Sequence, residues 1–129
     1  SKKQVIGLKY YAFGEISEEE YDLLVKGGAA GLSTFMSYFI LTAIAAKDKK
    51  LAVRIMKNYY GKMLDIGATT FWEDFDIAWA QNAGGIDEFP VKGKVDIHGD
   101  FGAFCYKGYR HSLCHGWSSG VLKFIKENC

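Results

Sequence analysis

Residues 32–65 read LSTFMSYFILTAIAAKDKKLAVRIMKNYYGKMLD. From Phe35 to Ala46 the chain is apolar on nearly every helical face, which predicts a helix starting at Ser33 or Thr34 and buried all round. After the polar break KDKK the pattern changes. Leu51-Ala52, Ile55-Met56, Tyr59-Tyr60 and Met63-Leu64 recur every four residues, and Lys50, Arg54, Lys57, Asn58 and Lys62 fill the other side. That spacing predicts a one-faced helix over 48–65. A fully buried helix followed by a one-faced helix is an inner helix paired with an outer one, so the fold class is mainly α.

Working outward, Ser17 and Glu20 in SEEE form a capping box with acidic groups at the positive end of a helix dipole. The helix they open is expected to end at Gly27-Gly28, where glycine takes the left-handed conformation. Residues 1–16, punctuated by Gly7 and Gly14, read as a loop or short extended segment leading in. Downstream, Gly67 breaks the helical pattern, and a helical turn is expected near FDIAWAQNA. Residues 84–112 are rich in glycine and hold the only proline, Pro90. Within them, KVDIH and AFCYKGY look strand-like and are expected to pair as a short β-hairpin in a long irregular loop. A last helix is expected from His115 or Ser118 to Lys126.

The 129 residues suit one domain or part of a larger one, and 49% hydrophobic residues are enough to form a core. Sixteen basic against fifteen acidic side chains provide no broad field for nucleic acid or an anionic membrane. The most apolar run, GLSTFMSYFILTAIAA, is shorter than the ~20 residues that cross a bilayer. No nucleic-acid or membrane partner is therefore expected. Three cysteines, Cys105, Cys114 and Cys129, cannot all pair within the chain, which fits a reducing, cytoplasmic compartment.

The chemistry concentrates in two stretches, GATTFWEDFD (67–76) and RHSLCHGWSSG (110–120). Glu73, Asp74 and Asp76 lie within four positions and beside Phe71, Trp72 and Phe75. A carboxylate next to aromatic rings is expected to be partly desolvated, which raises its pKa and suits acid–base work. From spacing alone the favoured reading is that Glu73 is a helix N-terminal acid and the aspartates are caps. Trp72, Trp79 and Trp117 are candidates for sugar-stacking platforms, but a tryptophan is more often core, and at least one of the three is expected to be.

His98, Cys105, His111, Cys114 and His115 are the right residue types for zinc, but no C-x-x-C pair is present. The favoured reading is that they bond to loop backbone or line a pocket, with no metal and no cofactor. A nucleophilic Cys114–His115 pair is disfavoured, because sequence neighbours rarely point at one another. The glycines of KGKVDIHGDFG lack phosphate-loop spacing.

TTFWE followed by HGWSSG resembles the C-terminal part of the catalytic domain of bacterial α-L-rhamnosidases and related six-hairpin glycosidases. The upstream block GAAGLSTFMSYFILTAIA is similar to the same region, so the resemblance covers most of the chain. It implies an (α/α)6 barrel of six inner and six outer helices. On that basis residues 1–129 form one segment, with helices over 16–66, an active-site loop region over 67–114 and a last helix over 115–129. The resemblance makes Glu73 the general base that activates water and His115 a sugar contact. It makes Trp72 a pocket wall; Trp117, as a stacking platform, and Asp76 are further expected substrate contacts that the resemblance does not itself assign. Asp74, His98, Asp100 and Arg110 are left as candidate contacts without a role.

Six hairpins need far more chain than this at ~1.5 Å rise per helical residue, so only the last two or three are expected here. An inverting glycosidase uses two carboxyls about 6.5–9.5 Å apart, and no counterpart of the family's general acid is recognisable in residues 1–66. The expectation is therefore a fragment of a rhamnoside hydrolase, inactive alone, whose partners are a carbohydrate and the rest of its catalytic domain. Bared of its neighbours, the all-apolar helix is expected to expose a patch and drive self-association. The competing readings are a six-hairpin enzyme for another sugar and a non-catalytic helical module that binds carbohydrate or a partner.

Overall fold

A computed structural model describes residues 1–99 and 112–129. Among the described residues it is mainly α. The helices are α1 (Lys2–Phe13), α2 (Glu18–Val25), α3 (Ser37–Ala45), α4 (Lys49–Asp65) and α5 (Gly120–Asn128), with short 3-10 turns at Ile77–Asn82 and Gly116–Ser119.

Helix α3 is the hub. Helices α1, α2, α4 and α5 all pack on it, and no residue from Ser37 to Ala45 is exposed. Ile40, Leu41 and Ile44 are fully buried, as the unbroken apolar run requires. The one-faced pattern of α4 places Ala52, Ile55, Met56, Tyr59 and Met63 in the core and its lysines outside. Asp48 caps α4 by accepting the Leu51 N–H at 2.9 Å. At α2 the Ser17–Glu20 capping box forms with both reciprocal bonds in place, at 3.2 and 2.8 Å.

Four expectations are corrected. Residues 1–16 are not a loop, because α1 occupies most of them. Gly7 misleads here. It lies mid-helix at the closest approach of α1 to α3, where an added Cβ would meet the Ile40 backbone N at 3.0 Å and Phe39 C at 3.1 Å. Gly14, at φ 76°, is the true stop and donates its N–H to Tyr10 O at 2.7 Å. Gly7→Ala is expected to destabilise the chain by about 1–3 kcal/mol through overpacking against backbone that cannot yield. Thermal unfolding followed by circular dichroism measures this, with Gly61→Ala, where nothing lies within 4 Å of the added Cβ, as the control.

Helix α3 begins at Ser37 rather than at Ser33 or Thr34. The Ser33 hydroxyl accepts the Met36 N–H at 3.3 Å, and Thr34 turns its hydroxyl elsewhere, as described below. Among the described residues KVDIH is in no hairpin, and the ladder contact it makes there is an isolated bridge between Val95 and Ala83. The alternating apolar residue Ile97 is 1% exposed and anchors the segment to the core instead. The other half of the expected hairpin, residues 103–109, lies outside the described residues. Finally, α3 has no bare apolar face. Exposed apolar side chains lie instead on α1, at Val5, Leu8, Tyr11 and Phe13, and on the other helices at Leu23, Leu64, Leu122 and Ile125.

Candidate functional site

The two stretches that carry the candidate chemistry lie some forty residues apart in sequence and clasp one another. Glu73 donates its backbone N–H to Ser112 O at 2.8 Å, and the Ser112 N–H returns to the Glu73 carboxylate Oε2 at 2.7 Å. His115 donates its N–H to Phe71 O at 2.7 Å. The Thr70 hydroxyl donates to Leu113 O, and the buried Ser118 hydroxyl donates to Trp72 O. Backbone groups that would go unpaired in a loop are thus satisfied between two loops.

Glu73 is held from a third direction as well. Its carbonyl accepts the Thr34 hydroxyl at 2.6 Å and the Trp117 indole N–H at 2.8 Å. Thr34 belongs to the turn before α3, and Trp117 to the 3-10 turn that feeds α5. The residue is therefore fixed to both ends of the helical layer, although its own segment has no regular structure. Such a support determines where a carboxylate sits far better than a free loop would.

Glu73 opens onto a cavity of about 330 Å³, lined also by Gln4, Ser33, Phe35, Asp74 and Trp117. That volume is at the lower end of the about 300–1,000 Å³ common for small-molecule sites. The lining pairs aromatic faces with a few polar groups. Phe35 and Trp117 stand 5.8 Å apart, and the His115 ring lies 4.3 Å from Trp117. His115 is not itself among the cavity-lining residues. It braces the tryptophan at the rim.

Two expected contacts sit elsewhere. Trp72 is 0% exposed and packs edge-on against Phe75 at 5.7 Å, so it lies behind the clasp in the core rather than on a pocket wall. Its indole N–H has no acceptor among the described residues. Asp76 caps the 3-10 turn, accepting the Ala78 N–H at 2.9 Å, and faces a separate cavity of about 570 Å³ shared with Asn58, Lys62 and Gln81. Under the site, Tyr59 donates its hydroxyl to Phe75 O, and Tyr60 shares a 2.6 Å hydrogen bond with Ser37. Burial pushes the Tyr59 phenol well above its ordinary value and Tyr60 up to about 12, so both remain neutral at working pH.

The remaining candidates divide as follows. His98 bonds to loop backbone, with Nε2 2.9 Å from Ile86 O. Trp79 is half-buried and meets Phe75 edge-on at 6.1 Å. Cys114 is exposed, and its backbone N–H and carbonyl both bond to the Ser112 hydroxyl. Asp100, Cys105, Arg110 and His111 lie outside the described residues. Among the described residues no group of three or more His, Cys, Asp or Glu is placed to hold a metal ion, and no helix is long and apolar enough to cross a membrane.

Sequence reasoning missed Phe35, Thr34, Gln4 and Ser112. Thr34 and Phe35 precede α3 in a stretch that reads as its first turn, and Gln4 is in the segment read as a loop. For Ser112 the sequence carries no signal, because its role is a backbone one.

No protein-family model matches the chain, and no curated protein or solved structure matches it.

Proposed function

We propose that residues 1–129 are the C-terminal part of the catalytic domain of a six-hairpin glycoside hydrolase of the α-L-rhamnosidase kind, with Glu73 as the general base of an inverting reaction. The observation that supports this reading is the clasp. It joins TTFWE to HGWSSG, the two blocks that carry the resemblance, beside an aromatic-walled cavity of about 330 Å³ that Glu73 lines. In the proposed reaction Glu73 accepts a proton from water as the water oxygen bonds to the anomeric carbon. The bond to the leaving oxygen breaks, and that oxygen takes a proton from an acid outside this segment. Phe35 and Trp117 would bound the sugar, and His115 would act through the rim. Trp72 and Asp76 are not part of this proposal. The α3–α4 pair, inner helix then outer helix, would be one hairpin of an (α/α)6 barrel.

The reading is tested by hydrolysis of an aryl α-L-rhamnoside by the full natural chain that carries this segment, with Glu73 and with Glu73→Gln. A parent that turns over other glycosides but no rhamnoside would keep the barrel and the base and replace the sugar. Residues 1–129 alone are proposed to be inactive, for want of the acid. A second reading, a non-catalytic module, draws on the exposed apolar side chains of α1, Val5, Leu8 and Phe13. Self-association of the isolated segment is proposed to use those side chains, since α3 is covered. Light scattering over a concentration series should then show dimer that Val5→Lys and Phe13→Lys abolish; a monomer at every concentration rules it out.

A further inference from the structure

Two side-chain donors meet on one backbone carbonyl, that of Glu73. The Thr34 hydroxyl reaches it at 2.6 Å and the Trp117 indole N–H at 2.8 Å. A carbonyl oxygen has two lone pairs, so this pair saturates it. Thr34 is 1% exposed and stands in the turn before α3, whereas Trp117 is 49% exposed and stands in the turn before α5. These two helices are pinned together: at Gly120, the first residue of α5, an added Cβ would meet Tyr38 Cβ of α3 at 2.9 Å. Both donors are thus carried on a packed helical frame, while Glu73 lies in a stretch without regular structure.

The Glu73 carboxylate is divided in its duties. Oε2 accepts the Ser112 N–H at 2.7 Å, and Oε1 has no hydrogen bond among the described residues. One oxygen orients the group and the other is left to act. The Glu73 N–H is bonded as well, to Ser112 O at 2.8 Å, so the main chain is held on both sides of its Cα. The bonds with Ser112 use that residue's main chain. The two on the Glu73 carbonyl come from side chains and can be removed one at a time.

Trp117 combines two positions. Its ring lines the cavity, with Phe35 at 5.8 Å and His115 at 4.3 Å, and its N–H holds Glu73. We infer that Trp117 and Thr34 are positioning residues, which act on the reaction through the Glu73 carbonyl by setting where the carboxylate stands. The inference rests on the general-base reading of Glu73. A base works only within hydrogen-bond reach, ~2.6–3.2 Å, of the proton it takes, and a misplacement of ~1 Å costs up to ~10²-fold in rate. A Trp117 that served only as a stacking platform would need no N–H at all.

The test is kinetic and uses the full natural chain with an aryl α-L-rhamnoside, or with the aryl glycoside this chain turns over, at a temperature where circular dichroism shows every variant folded. Thr34→Val keeps the shape and loses the hydroxyl, and Trp117→Phe keeps a ring at the cavity and loses the N–H. Each should lower kcat by about 3- to 10-fold with KM changed by less than about 2-fold, since one donor remains. The double variant should lose more than the product of the two single losses, because the carbonyl is then released. Thr34→Ser restores the hydroxyl and should bring kcat back. Unchanged kcat in both single variants, with or without a lowered Tm, overturns the inference and assigns the two bonds to stability. A rise in KM alone also overturns it and makes Trp117 a binding wall only. A Glu73→Gln chain at full activity, or a parent that hydrolyses no aryl glycoside, ends the base reading and this inference with it. An inactive Glu73→Gln chain beside unaffected donor variants ends this inference alone.

Discussion

Glu73→Gln in the full natural chain is expected to lower turnover of an aryl α-L-rhamnoside by ~10²-fold or more, the scale of losing a positioned general base. The amide is the informative substitution because of the clasp. The Ser112 N–H donates to one oxygen of the carboxylate, and glutamine keeps an oxygen able to accept that bond. The backbone bonds from Thr34, Trp117 and Ser112 do not depend on the side chain. Stability should therefore change little while the proton acceptor is removed. Glu73→Ala would mix the two effects, since it leaves the Ser112 N–H without its partner. The measurement is kcat with Tm recorded on the same samples. An amide variant that turns over as fast as the parent would make Glu73 a structural link between the two loops.

Trp72→Ala is expected to destabilise the fold by about 3–5 kcal/mol, a large part of the about 5–15 kcal/mol that holds a typical domain together. The ring is fully buried, and the Ser118 hydroxyl bonds to its backbone carbonyl, so the cavity would open directly behind the clasp. Trp72→Phe should lose less than half as much. It keeps the ring contact with Phe75 and removes an N–H that has no acceptor among the described residues, a group whose burial costs about 1–3 kcal/mol. Urea titration of the three proteins ranks them. A pocket-wall tryptophan would give the opposite pattern, with small stability changes and a large loss of sugar affinity in both variants.

Legibility in the sequence followed the reach of the interaction. Helices α3 and α4 are readable because continuous and one-faced apolar patterns determine burial directly, and the caps at Ser17 and Asp48 are local. Helix α1 was hidden by Gly7, which reads as punctuation when nothing indicates that Ile40 will pack against it. The apparent strand at residues 94–98 has the right alternation, but Ile97 uses it to reach the core. At the site, residue type identified Glu73 and the tryptophans as candidates but not which way each faces. In a non-helical stretch neighbours diverge, so Trp72 goes inward and Glu73 reaches the cavity. Asp76 is diverted by a turn that needs its oxygen. The closure of Ser112 on Glu73 and the braces from Thr34 and Phe35 are tertiary, and no periodicity announces them.

The bonds that hold the Glu73 segment to residues 112–118 span 39 to 46 positions along the chain. Those bonds join two segments without regular helix and form only when the loop between them has closed, whereas α1 to α4 each carry hydrogen bonds between residues four apart in sequence. The helical layer can therefore assemble first and the carboxylate be placed last. On unfolding the order reverses: mild denaturant or heat would release the clasp while the helices still stand. Such a protein would lose its site before its helical signal fell.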